Sequence, residues 1–125
     1  MKTRIETDPL GEKAIPEDVY YGIQTLRATE NFPVSGIKAP LHFIRAYVLV
    51  KKATALANAT VGWLDAERKQ AIVQACDEVL NGKFLDQFVV DVFQAGAGTS
   101  FNMNVNEVLA VRILMIRINF LNSFL

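Results

Sequence analysis

The chain is poor in the residues that build metal and redox sites. Its 125 residues include one cysteine, Cys76, and one histidine, His42. A single thiol excludes an internal disulfide and is typical of a reducing compartment such as the cytoplasm. One His and one Cys far apart in sequence also argue against a zinc site built from this chain alone. We therefore expect no metal site, and we expect Cys76 to be a small buried residue.

Neither sign of charge is in excess. The chain has 13 basic and 13 acidic residues, so its formal net charge is zero. Without a basic excess there is no bulk attraction for nucleic acid or for an anionic membrane. The N-terminus lacks the apolar core of a secretory signal, and the apolar C-terminal stretch is too short and too charged to predict a membrane span. These absences predict a cytoplasmic domain that binds neither nucleic acid nor membrane.

The pattern of apolar residues predicts a mainly α-helical domain with little β structure. Proline and glycine punctuate residues 3–16, which predicts a small hairpin near the N-terminus. A short helix is expected to begin between Pro16 and Asp18 and to end before Pro33, because proline disfavours the helical conformation in the residue before it. Residues 86–95, "DQFVVDVFQA", are β-branched and aromatic and predict an extended segment.

Two longer helices are predicted in the middle of the chain. The first follows Pro40 and is apolar on most sides, so we expect neighbours to pack around it. One apolar stripe at helical spacing comprises Phe43, Tyr47, Val50, Thr54 and Ala57, and it is widened by Ile44, Val48 and Leu49. Lys51 and Lys52 are expected on a solvated flank. The second helix is expected to start at an Asp65 cap, to bury Ile72, Cys76, Val79 and Leu80, and to stop at Gly82.

The unusual feature is residues 96–107, "GAGTSFNMNVNE", where glycines and hydroxyl residues precede three asparagines at alternate positions. Helix N-termini expose unpaired N–H groups and partial positive charge. Gly96 and Gly98 would let a ligand approach the backbone, and Thr99 and Ser100 would add hydroxyls, so an anion could bind without a lysine. Residue types alone leave open an ordinary capped helix start with structural asparagines. The dinucleotide and Walker fingerprints are both incomplete here.

This segment also carries a family resemblance. "GAGTSFNMNVNEV" resembles the first signature region of the aspartase/fumarase superfamily. "YYGIQT", "ENFP" and "DQFVVDVFQAGAGTS" resemble the aspartate ammonia-lyase branch more than the class II fumarase branch. The likeness extends from residue 4 to about residue 110, and it implies the N-terminal domain of the aspartase/fumarase fold.

The resemblance also implies a function. Aspartate ammonia-lyases convert L-aspartate to fumarate and ammonia without an organic cofactor, and the family is homotetrameric. By motif match, Thr99 is expected to contact the dicarboxylate substrate, with Gly98 and Ser100 beside it and Asn102 near the pocket. Asn104 and Asn106 are expected to support the pocket. No catalytic residue is transferred, because the family's serine loop and its Thr-His pair have no match in this sequence.

The last residues depart from the resemblance. We predict a lyase N-terminal domain over 1–110 and a divergent apolar tail over 111–125, which suggests a frameshifted or truncated reading frame. Such a chain is expected to be inactive alone and to self-associate through uncovered apolar faces. Two alternatives stay open: a class II fumarase-type N-terminal domain, and a non-enzymatic truncated remnant.

Overall fold

The computed structural model describes the backbone of residues 1–122 and the side chains of residues 1–119, and it is mainly helical, as the sequence predicts. Four α-helices follow an N-terminal hairpin. In chain order the elements are β1 (Thr3–Asp8), β2 (Gly11–Pro16), α1 (Ile23–Asn31), α2 (Leu41–Thr60), α3 (Ala66–Leu80), a 3-10 helix (Leu85–Gln87) and α4 (Thr99–Asn122).

The predicted hairpin is present and is fastened to α1. Strands β1 and β2 pair antiparallel, with Asp8 opposite Gly11 across a two-residue turn. Gly11 has a φ of 114°, a conformation that favours glycine. The Asp8 carboxylate accepts two hydrogen bonds from the Arg27 guanidinium, at 2.8 and 2.9 Å. This bidentate pair joins the hairpin turn to the middle of α1.

The prediction that the first helix begins near Pro16 to Asp18 is wrong, because α1 begins at Ile23. The Arg4 side chain donates to the carbonyl oxygens of Pro16, Val19 and Tyr21, at 3.0, 2.9 and 2.6 Å. Those carbonyls point towards one guanidinium instead of along a helix axis. The loop before α1 is therefore ordered by a residue of β1, which a local helix pattern cannot reveal.

The core lies between α2, α3 and α4. Its buried members are Ile44, Val48, Ala75, Cys76, Val79, Phe88, Phe101, Val105, Val108 and Leu109. The predicted face of α3 is confirmed, with Cys76 and Val79 buried and Ile72 and Leu80 packed against them. Burial raises the pKa of the Cys76 thiol to about 11, so it stays protonated and unreactive at neutral pH.

The broad apolar stripe predicted for α2 is only partly buried. Its members Ile44 and Val48 are buried together with Ala55, whereas Phe43, Val50, Thr54 and Ala57 are exposed. Apolar residues occur almost all round α2, so spacing alone could not select the inward face. Tyr47 lies at the edge of the core, where its ring meets that of Phe101 edge-on at 5.1 Å. An exposed apolar surface therefore remains on α2.

The predicted ends of α3 are confirmed. Asp65 accepts a hydrogen bond from the Arg68 N–H at 2.8 Å, and the helix stops at Leu80, two residues before Gly82. The extended segment that follows is irregular after its first turn of 3-10 helix, and it pairs with the rest of the chain through one β-bridge between Asp91 and Lys38.

Across the described residues, no helix combines the length and apolar character needed to cross a bilayer. Helix α4 continues without interruption through residue 110 to Asn122. Its bidentate pair between Arg112 and Glu78 joins it to α3. The hydrogen bond from Arg112 lowers the pKa of Glu78, so the pair stays charged well below neutral pH.

Candidate functional site

The site begins at the glycine turn that leads into α4. Gly98 has a φ of 75°, and its N–H donates to the Ala95 carbonyl at 2.9 Å. A Cβ built on Gly96 or on Gly98 would meet no atom within 4 Å. Glycine is therefore explained by backbone conformation at position 98, and both positions border open space. The turn leaves the first residues of α4 accessible, with Thr99 exposed and Ser100 half-buried.

The first turn of α4 keeps two backbone donors free. The Phe101 N–H donates to the Gln94 side-chain oxygen at 2.6 Å, and the Asn102 N–H donates to the Gly98 carbonyl at 3.1 Å. Within residues 1–122 the N–H groups of Thr99 and Ser100 have no acceptor. Two N–H groups and two hydroxyls therefore meet at a helix N-terminus, where the helix dipole adds partial positive charge.

A cavity of about 290 Å³ opens beside these donors. Thr99 and Ser100 form one wall, and Asp8, Gln24 and Arg27 contribute to the opposite side. The hydrogen bond from Arg27 lowers the pKa of the Asp8 carboxyl, so at neutral pH Asp8 is ionised and paired with Arg27. A carboxylate held in this way is a poor proton acceptor. The one carboxylate that lines this cavity is therefore committed to an ion pair.

Asn102 lies on a different flank of α4 from this cavity. Its side-chain oxygen accepts from Lys51 Nζ at 2.8 Å and from the Tyr47 hydroxyl at 3.3 Å. Asn102 is half-buried and lies three residues after Thr99, about one helical turn along α4. The structure thus brings Gly98, Thr99 and Ser100 together at the helix N-terminus and places Asn102 next to them, towards α2.

The other two asparagines have separate environments. Asn104 is fully buried, where its amide donates to the Gln87 carbonyl and its oxygen accepts from the Val89 N–H, both at 2.9 Å. It therefore holds the irregular segment before the glycine turn against α4. Asn106 is half-buried, and within the described part of the chain it makes only a weak contact, 3.8 Å long, with the Met103 sulfur.

A second helix N-terminus, that of α1, is filled by carboxylates. Glu107 on α4 accepts from the N–H groups of Gly22, Gln24 and Thr25, at 2.9–3.0 Å, and from the Thr25 hydroxyl. Glu6 on β1 accepts from the Ile23 N–H at 2.8 Å. A Cβ on Gly22 would lie 2.8 Å from Glu6 and 2.9 Å from Glu107, so the two carboxylates leave room only for glycine.

Sequence reasoning missed three residues around the site. They are Gln94, Glu107 and Lys51. Each forms a hydrogen bond with a residue outside its own helix or loop. The expectation that Lys51 and Lys52 lie on a solvated flank is wrong, because both are half-buried and hydrogen-bonded, to Asn102 and to Asp77. A polar pair in an apolar helix was the available signal, since burial of a lysine requires a partner.

Comparisons with known proteins place this geometry in a family. A family model described as lyase matches residues 11–122. An aspartate ammonia-lyase from a Bacillus species is 60% identical over 111 residues, which are 89% of this chain and 24% of that protein. A class II fumarate hydratase from Halobacterium salinarum is 58% identical over 87% of this chain and 23% of that protein.

Solved structures of lyases share this fold. A crystal structure described as fumarate lyase:delta crystallin from Brucella melitensis has a TM-score of 0.86 and 53% identity, covering 91% of this chain and 27% of that one. A class II fumarase from Schistosoma mansoni has a TM-score of 0.86 and 37% identity. The chain therefore spans about a quarter of the length of the relatives it matches. The helical fold, the glycine turn and these matches together show that the chain belongs to the lyase family of aspartate ammonia-lyases and class II fumarases.

Proposed function

We propose that this chain supplies the first substrate-binding segment of an aspartate ammonia-lyase, an enzyme that converts L-aspartate to fumarate and ammonia. In this proposal Thr99 and Ser100 bind a substrate carboxylate through their hydroxyls and N–H groups. Gly98 gives the ligand access to the backbone, and Asn102 donates from the neighbouring flank. The assignment rests on one observation above others: the N–H groups of Thr99 and Ser100 have no acceptor within residues 1–122, and both residues line a cavity.

The reaction makes use of such donors. Removal of the proton beside the β-carboxylate places additional negative charge on that carboxylate before the amine leaves. Donors that are already oriented towards the carboxylate stabilise this charge without reorganising during the reaction. A helix N-terminus is suited to the task because its N–H groups are fixed by the helix and its dipole favours negative charge.

A class II fumarase, which acts on L-malate, is the second candidate. It is supported by the class II fumarate hydratase that is 58% identical, close to the 60% of the aspartate ammonia-lyase. Both substrates are C4 dicarboxylates, so the helix N-terminus serves either reaction. The "YYGIQT" and "ENFP" stretches favour the ammonia-lyase. Once other polypeptide completes the catalytic centre, an absorbance assay separates the two candidates: fumarate formed from L-aspartate supports the first, and fumarate formed from L-malate supports the second.

We propose that the chain binds a dicarboxylate weakly and does not turn it over alone. The cavity beside Thr99 offers Asp8 as its carboxylate, and Asp8 is paired with Arg27. A general base must lie within hydrogen-bond reach of the proton it removes and must be free to accept it. In this proposal residues 1–110 form the binding domain, 111–125 are a divergent tail, and other polypeptide in a cytoplasmic homotetramer completes the catalytic centre.

A titration tests the binding step. Succinate, an unreactive C4 dicarboxylate, is added to the isotope-labelled 125-residue chain while backbone amide resonances are recorded. We expect the largest shifts at Thr99 and Ser100, and Thr99→Val to weaken binding by about tenfold, the loss of roughly one charged hydrogen bond.

The matched control is Thr60→Val, since the Thr60 hydroxyl donates to the Leu56 carbonyl in an exposed part of α2. This variant is expected to bind succinate as the unchanged chain does. An absence of shifts at Thr99 and Ser100 at saturating succinate would overturn the proposal.

A further inference from the structure

The hydrogen bond between Lys51 and Asn102 lies outside the packed hydrophobic core. We infer that Lys51 is a positioning residue that orients the Asn102 amide for ligand binding. The inference rests on the proposed function, because the group that Lys51 orients is one of the donors assigned to the dicarboxylate. It concerns a residue of α2, whereas the glycine turn and Thr99 belong to the start of α4.

The chemistry of lysine fixes the orientation of the amide. A lysine ammonium group only donates hydrogen bonds, so the atom of Asn102 that lies 2.8 Å from Lys51 Nζ must be the oxygen. The Tyr47 hydroxyl donates to the same oxygen at 3.3 Å. With its oxygen occupied from the α2 side, the Asn102 amide turns its N–H₂ group away from α2. That group has no acceptor within the part of the chain that the structure describes.

The arrangement also keeps a positive charge next to the site. Along residues 1–119, no carboxylate lies within 4.0 Å of Lys51 Nζ, whereas the neighbouring Lys52 pairs with Asp77 at 2.6 Å. Lys51 is half-buried, and the Tyr47 ring lies 5.7 Å from its nitrogen. An amide, unlike a carboxylate, brings no negative charge that offsets the charge of the ammonium group. This charge favours binding of a dianion at the start of α4, one turn from Asn102.

Two neighbouring lysines make a matched test in the full chain. Lys51→Met removes the donor, Lys51→Arg keeps a cationic donor, and Lys52→Met removes the adjacent lysine that bonds Asp77. The side-chain amide of Asn102 is followed by NMR without ligand, and succinate affinity is then measured. The buried Asn104 amide reports whether the core is intact in each variant.

We expect the Asn102 amide to be ordered in the unchanged chain and in Lys52→Met, and to become mobile in Lys51→Met while Asn104 is unchanged. Succinate binding should weaken about tenfold in Lys51→Met and less than about threefold in Lys51→Arg, as for loss or retention of one charge-assisted hydrogen bond. If Lys51→Met also disturbs Asn104, Lys51→Arg decides: an ordered Asn102 amide supports the inference and a mobile one overturns it.

The two proposals fail in different ways. If succinate shifts Thr99 and Ser100 but Lys51→Met keeps an ordered Asn102 amide or the original affinity, the role of Lys51 is overturned and the proposed function stands. If succinate shifts neither Thr99 nor Ser100 in the unchanged chain, the proposed function is overturned, and the role of Lys51 falls with it.

Discussion

The N-termini of α1 and α4 both have backbone N–H groups without acceptors inside the helix, but only at α1 does the protein supply those acceptors. At α1, the carboxylates of Glu6 and Glu107 accept from the backbone N–H groups of residues 22–25, and the helix start is half-buried or buried at all but one of those positions. At α4, within residues 1–122, only the Phe101 N–H is taken by a side chain; Thr99 and Ser100 line a cavity, and their N–H groups have no acceptor. One helix start carries its own anions, and the other is open to an anion from outside.

The difference separates groups that stabilise the fold from groups available for binding. A helix start filled by the protein's own carboxylates contributes to stability and cannot accept a ligand. A helix start with exposed donors contributes less to stability, since water is its partner in the free protein. Changes at α1 should therefore alter the free energy of unfolding, and changes at α4 should alter ligand binding instead.

The largest loss of stability is expected from Glu107→Ala. The substitution removes the acceptor for four donors at the start of α1, and at least some of them become buried and unpaired. We expect the free energy of unfolding to fall by about 3 kcal/mol, the sum of a lost cap and unsatisfied donors. Urea unfolding followed by circular dichroism measures this loss.

Glu67→Ala is the control for that substitution, because Glu67 is exposed and, among the side chains of residues 1–119, pairs only with Arg117, at 3.2 Å. Its expected effect is within about 0.5 kcal/mol. Equal losses in the two variants would mean that Glu107 is not the anchor of α1.

A glycine at each helix start sharpens the comparison. In Gly22→Ala the new Cβ would press on Glu6 and Glu107 at 2.8–2.9 Å, so the free energy of unfolding should fall by about 2 kcal/mol. In Gly96→Ala the Cβ would enter open space, so stability should change by less than about 0.5 kcal/mol. Thermal and urea unfolding of the two variants measure the contrast, and a larger loss at Gly96 would contradict it.

The Asp91 carboxylate accepts from several backbone N–H groups of loops, as Glu107 does at the start of α1. Its contribution to stability should depend on pH. Asp91 accepts from the N–H groups of Ser35, Gly36 and Phe93 and from the Ser35 hydroxyl, at 2.7–2.8 Å. Burial alone would raise the pKa of Asp91, but these hydrogen bonds outweigh burial and lower it from 3.8 to about 2. The stabilisation is therefore complete above pH 3.8 and is lost as the pH falls through about 2.

Asp91→Asn tests that dependence. The urea midpoint of the unchanged chain should exceed that of the variant above about pH 4, and the difference should shrink as the pH falls towards about 2. A difference that stays constant from neutral pH to pH 2 would show that the charge of Asp91 does not stabilise the loop.

The smallest stability effect is expected at the open helix start. Thr99 is exposed and neither its hydroxyl nor that of Ser100 makes a hydrogen bond within the described chain, so Thr99→Val with Ser100→Ala should change the free energy of unfolding by less than about 0.5 kcal/mol. Differential scanning calorimetry measures this. A loss above about 2 kcal/mol would show that these hydroxyls support the fold and are not reserved for a ligand.

Local sequence signals predicted the parts of the fold that depend on local chemistry. Pro40 and Asp65 mark helix starts, and Gly82 marks a helix end, because capping and turn formation involve residues a few positions apart. The start of α4 at Thr99 was predictable for the same reason. The four residues assigned to substrate binding, Gly98, Thr99, Ser100 and Asn102, remain a prediction that binding experiments must test.

The parts that could not be predicted depend on residues far apart in the chain. The late start of α1 follows from Arg4, and its cap comes from Glu107, 82 to 85 residues away. The inward face of α2 is chosen by α3 and α4, since its own apolar residues lie almost all round. Lys51 was placed in solvent for the same reason, because nothing near it in sequence reveals the partner on α4.

The reach of Glu107 has a consequence for the order of synthesis. A ribosome releases the hairpin and α1 first, yet the acceptor that completes the start of α1 is made more than 80 residues later. Until α4 has emerged, the early part of the chain can form its two strands, but the N–H groups at the start of α1 lack the Glu107 carboxylate. A nascent chain arrested before residue 107 should therefore leave residues 22–25 open to hydrogen exchange, and release of α4 should close them.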